Sequence, residues 1–208
     1  MNKNIKIFAE FEDESRPHRQ IIFGLIVITV IFLGLLYFAS YNIRWLFYLA
    51  SLISGILFLL GLPLLFIDTY IYRKLYYTYL SLFKLHTAFL SINMSYAVLA
   101  TSFDIEIWSY FLTCVVIVLI SIILYFLNKK QIEKGLKFKN QPKTYFGLIV
   151  FICVCGRIIA KTFLINMDNG IPMVLVSIGF FVGTISFLNA GVKDILKCCY
   201  IKRIENEN

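Results

Sequence analysis

The chain has 208 residues, 60% hydrophobic and only 15% charged, with a mean hydropathy of +0.80 and a net charge of +8. Soluble domains are nearer half apolar and a quarter charged, so the composition excludes an ordinary soluble globule. The positive charge flanks apolar stretches instead of interleaving with exposed aromatics, which argues against nucleic acid as a partner and for lipid headgroups.

Six apolar stretches fall at about 21–40, 45–67, 85–103, 107–127, 145–165 and 171–190. Each has roughly the 20 residues that a helix needs to cross a hydrocarbon core of about 30 Å. The expected fold is therefore all-α: a polytopic membrane protein with six transmembrane helices in three antiparallel hairpins. It forms a single domain over 1–208, with a cytoplasmic segment 1–20 and a cytoplasmic tail 191–208.

Residues 1–20 are polar, with Lys3, Lys6, Arg16 and Arg19. A cleavable signal would place its apolar core nearer the start, so the run from Ile21 reads as a retained helix. In the second span Gly61-Leu62-Pro63 predicts a kink, because proline lacks the N–H that the next turn needs. The gap 68–84 holds five tyrosines together with Arg73, Lys74 and Lys84. This mixture suits the headgroup layer and predicts an interfacial helix with an aromatic belt.

The third span carries His86, Thr87, Asn93, Ser95 and Thr101. His86 reads as interfacial. Asn93 falls near mid-membrane and is expected to bond to a neighbouring helix or to touch a ligand. A short turn with Asp104 and Glu106 leads into the fourth span. The gap 128–144 is the most basic, with Lys129, Lys130, Lys134, Lys137, Lys139 and Lys143, and is expected to lie over anionic lipid.

The fifth span contains Arg157 and Lys161, four residues apart and so on one helix face. Such charges are costly against lipid and are expected to face the bundle interior or an outer vestibule. Asp104, Glu106 and Asp168 are the candidate acids to pair with them; the alternative is a basic vestibule that takes an anionic ligand or partner. Asn189 to Asp194 reads as the inner end of the sixth span, with Gly191 relaxing the backbone. Lys193, Lys197, Lys202 and Arg203 follow.

Of all 20 Lys and Arg residues, only Arg44, Arg157 and Lys161 fall outside alternate gaps and the two terminal segments. Cytoplasmic loops hold the excess of Lys and Arg, which puts both termini in the cytoplasm of, by expectation, the plasma membrane.

No His-Glu-x-x-His, Gly-x-Ser-x-Gly or Walker sequence is present. The five cysteines and two histidines lack metal-site spacing, so no metal or cofactor is expected, and an enzyme is disfavoured. The residues singled out for ligand or partner binding are Arg157, Lys161, Asn93, Asp104, Glu106 and Asp168. The expected function is a non-enzymatic membrane protein that binds a partner protein or lipid, in a protective or accessory role, with a homo-oligomer as one form of partnership. The alternative is a small carrier or channel for an anionic solute, because the spans hold basic residues and no mid-span acid.

Overall fold

A computed structural model describes residues 3–10, 18–40, 43–66, 72–103, 105–135 and 170–207. The described residues form α1 (Lys3–Glu10), α2 (His18–Ala39), α3 (Arg44–Gly61), a 3-10 turn (Pro63–Leu65), α4 (Arg73–Ser102), α5 (Ile107–Glu133) and α6 (Gly170–Glu207), with no strand among them. Four helical stretches are long and apolar enough to cross a membrane: Arg19–Ala39, Arg44–Leu65, Ile107–Glu133 and Met173–Glu205. Their length and composition are those of an integral membrane protein.

Element ends follow local chemistry. Helix α3 stops where Pro63 withholds its N–H, and a 3-10 turn follows. Gly61 is required there by a close approach: a Cβ would lie 2.0 Å from the Tyr79 hydroxyl oxygen. That hydroxyl donates to the Leu57 carbonyl at 3.2 Å, holding the end of α3 against α4. Helix α5 ends at Glu133, and Gly135 just beyond its cap has a φ of 68°, the left-handed conformation that closes many helices.

The centre is an antiparallel pair, α4 against α6. Ser95 faces Ser177, Ser91 donates to the Phe180 carbonyl at 2.7 Å, Gly191 lies against Leu85, and Lys84 meets Asp194. Small residues let the two backbones approach: a Cβ on Gly191 would sit 3.1 Å from Leu85, and one on Gly183 3.2 Å from the Ser91 hydroxyl. Helix α2 packs on α4, α3 on both α2 and α4, and α5 on α6. Asn128 of α5 donates to Asn189 of α6 at 2.8 Å.

One end of the bundle gathers a large core. Ile5 and Ala9 of α1, Ile22 of α2, Leu64 of the 3-10 turn, Tyr76 and Phe83 of α4, Ile132 of α5, and Leu196 and Tyr200 of α6 share it. Every described Lys and Arg except Arg44 lies in this half, which we term the basic end. At the opposite end Leu46, Tyr96 and Tyr110 form a small aromatic cluster.

Three expectations are corrected here. The stretch from Arg73 to Lys84 is not a separate interfacial helix but the opening part of the 30-residue α4, with Tyr76, Tyr77 and Tyr79 buried. The sixth span does not close at Asn189–Asp194, because α6 runs through Gly191 to Glu207; Gly191 serves close packing on Leu85 and Ser81 instead of a helix stop. The His86 side chain does not face outward at the inner end of its span but is buried against α3. Helix α4, which contains the third apolar stretch, is not among the four helices of spanning apolarity. Its side chains are nonetheless the most buried, and a helix shielded from lipid tolerates Ser, Thr, His and Asn facing its neighbours. The stretch 145–165 lies outside the described residues, as does any hairpin it makes with α6.

Candidate functional site

Of the six residues singled out in the sequence, the structure describes two. Asn93 is fully buried, and its side-chain oxygen accepts a hydrogen bond of 2.8 Å from the Tyr110 hydroxyl across the α4–α5 junction. Tyr110 is itself held edge-on by Trp45 at 5.6 Å and tilted against Tyr96 at 5.1 Å. Asn93 therefore bonds between helices, as expected of a polar residue at that depth. Its amide nitrogen has no hydrogen-bond partner among the described residues. Glu106 is exposed at the N-terminus of α5 and its side chain makes no capping bond. Asp104, Arg157, Lys161 and Asp168 lie outside the described residues.

The Asn93–Tyr110 bond carries a prediction. Tyr110→Phe strands the buried Asn93 oxygen and should cost about 1–3 kcal/mol, measured by reversible unfolding in mixed micelles. Adding Asn93→Leu removes both partners and should recover most of the loss. A double variant worse than Tyr110→Phe would show that the bond is not what matters.

Beside this junction a cleft of about 280 Å³ runs between α4, α5 and α6, lined by Ser95, Tyr96, Leu99, Ser109, Thr113 and Ser177 among others. The hydroxyl groups of Ser95 and Ser177 are 2.5 Å apart across its floor. The lining described is apolar or neutral, so an anion would meet hydroxyl dipoles there and no cationic side chain.

His86 pairs across α3 and α4, with Nε2 at 2.7 Å from Ser54 Oγ. The Ser54 hydroxyl also lies 2.8 Å from the Ala50 carbonyl, to which it donates. A hydroxyl has one proton, so the imidazole N–H then donates to Ser54. A serine beside a histidine invites a nucleophilic reading. Both side chains are buried, and a serine whose proton is directed at a carbonyl is a helix-to-helix tie.

Among the described residues a charge constellation sits at the basic end, where sequence reasoning placed no site. Lys84 Nζ meets Asp194 Oδ2 at 2.5 Å, with side-chain exposures of only 22% and 13%. Lys193 and Lys197 also act on Asp194 through their charge. Lys197 donates to the Tyr77 hydroxyl at 2.8 Å and lies 4.3 Å from the centre of its ring. The signal was present in the spacing of Asp194 and Lys197, one turn apart, but it means something only once α6 continues past Asn189. No group of three or more His, Cys, Asp or Glu side chains suited to a metal occurs among the described residues.

No family model, curated protein or solved structure matches the chain.

Proposed function

We propose that this chain is a six-span plasma-membrane protein with both termini in the cytoplasm, and that it works by binding a lipid or a partner protein at its basic end. An accessory or protective role follows from that reading, with no chemistry asked of the chain. The observation that carries it is the segregation of charge in three dimensions. Helix α1 and the last turns of α6 lie side by side at the end where all described Lys and Arg but Arg44 are found. Basic residues collect on the cytoplasmic face and attract anionic headgroups there. The six-span count is supported by the placement of ends: α5 finishes at the basic end, whereas α6 begins at the other.

Two measurements on one preparation test the reading. In a cysteine-free background, single cysteines at Asn42, Asp104 and Asn169 should react from outside with an impermeant thiol reagent, and those at Asn4, Gln131 and Asn206 should not. Labelling at position 131 in intact cells would sink the topology. Native mass spectrometry of the protein released from mild detergent should show retained lipid or one stoichiometric protein. A protein that retains neither, but moves a small anion across proteoliposomes, would replace binding with transport.

A further inference from the structure

We infer that the Lys84, Lys193, Asp194 and Lys197 cluster is a binding site for a phosphate-bearing headgroup of net negative charge. The inference rests on the reading that the basic end meets a bilayer, and it names the ligand class there.

Depth is the first argument. Helix α6 starts at Gly170 and Asp194 lies about 36 Å along it at 1.5 Å per residue. A hydrocarbon core is about 30 Å thick, so a helix entering at the far face delivers Asp194 just beyond the acyl chains, among the headgroups. The antiparallel register with α4 brings Lys84 to the same level.

Charge and shape are the second. By formal charge the three lysines and one aspartate sum to +2: Lys84 of α4 pairs with Asp194 of α6, and Lys193 and Lys197 act on the same acid through their charge. Asp194 acts as a strut that holds Lys84 in place at 2.5 Å, while Tyr77 holds Lys197 at 2.8 Å. Side chains pinned in this way lose less entropy on meeting a ligand than free surface lysines do. A phosphate offers several oxygens, enough for more than one ammonium donor at once, and lysine binds it as a point charge without demanding a planar partner. Lys84 keeps 22% of its side chain exposed, which leaves an approach from the headgroup layer. A zwitterionic headgroup brings its own cation and gains less. The discrimination is therefore for net negative heads.

Native mass spectrometry of the full chain in micelles, titrated separately with phosphatidylglycerol, phosphatidylcholine and inorganic phosphate, tests the site. Phosphatidylglycerol should bind more tightly than phosphatidylcholine. Lys193→Gln, which leaves the Lys84–Asp194 pair intact, should weaken it about fivefold, and Lys193→Gln with Lys197→Gln roughly thirtyfold. Lys202→Gln with Arg203→Gln removes the same charge from the same tail outside the cluster and should change binding less than twofold. Because Lys84→Gln alone breaks the ion pair and would mix a loss of stability with a loss of binding, it is tested together with Asp194→Asn, a shape-conserving neutral pair that should also weaken binding. Inorganic phosphate displacing the lipid at equal concentration would support the phosphate chemistry and assign the site to a soluble anion. Equal affinity for phosphatidylcholine, or equal weakening by the 202/203 control, would overturn the site as diffuse charge. Lipid retained undiminished by every cluster variant would overturn the site alone and leave lipid binding standing. A chain that binds no lipid and no phosphate loses the site too, and its function then rests on the protein partner.

Discussion

Phe83→Ala should be the most damaging single truncation among the described residues, lowering stability by about 2–4 kcal/mol in reversible unfolding from mixed micelles. Phe83 has no exposed surface and is one of the largest side chains so enclosed. It stacks on Phe58 at 6.3 Å and lies tilted against Tyr79 at 5.5 Å. Its neighbours come from α3, α4 and the core shared with α1, α2, α5 and α6, so a cavity there loosens the whole basic end. In water much of the cost of Phe→Ala is transfer of the ring out of solvent. Beside a bilayer that term shrinks, because lipid also shelters the ring, and the lost dispersion contacts and the unfilled volume remain. The contrast is Phe126 of α5, 62% exposed, whose replacement by Ala removes few contacts with the rest of the protein. Phe126→Ala should fall within about 0.5 kcal/mol of the parent. Equal losses at the two positions would mean that the core at the basic end is not packed as described.

Asp194→Ala should cost about 2–3 kcal/mol, a value reduced from that of a fully buried pair because both partners keep some exposure. The sign of the comparison with its partner is the sharper test. Removing Asp194 takes the ion-pair partner from Lys84 and the acid on which Lys193 and Lys197 also act. Removing Lys84 leaves Asp194 with two lysines still acting on it. Lys84→Met should therefore cost less than Asp194→Ala. The pair Lys84→Met with Asp194→Leu should recover part of the loss, since a half-buried ion pair gains little over apolar side chains of similar size. Raising the salt concentration should narrow all of these differences through screening. A Lys84→Met variant worse than Asp194→Ala would show that the other two lysines do not share the acid.

Much of the fold is legible in the chain because hydropathy is a local property. Runs such as Ile21 to Ala39 and Ile107 to Leu127 announce apolar helices with no knowledge of neighbours, and both are helices. The break after Gly61 is legible for the same reason, since a missing N–H is a property of Pro63 itself. The interhelical role of Asn93 is legible from its depth. The tyrosine-rich stretch from Tyr72 to Tyr79 is not. Tyrosine and arginine have the same local signature at a headgroup layer as inside a bundle end capped by α1, and only the partners Leu57, Phe83 and Tyr200 distinguish the two. Gly191 is misleading in the same way. A glycine near the end of an apolar run reads as a helix stop, yet here it makes room for Leu85 from another helix.

By itself the sequence determined the class of molecule: helical, apolar, and basic at alternate gaps, each a sum over residues close in the chain. Only the tertiary structure decided which helix sits at the centre and where charge concentrates. Lys84 and Asp194 are separated by 110 positions, and Tyr77 and Lys197 by 120. Their meeting depends on the antiparallel register of α4 against α6. That register is set by where serine and glycine let two backbones approach, at Ser91 with Gly183 and at Leu85 with Gly191. Close packing is a property of pairs of surfaces, and no single stretch of chain carries it.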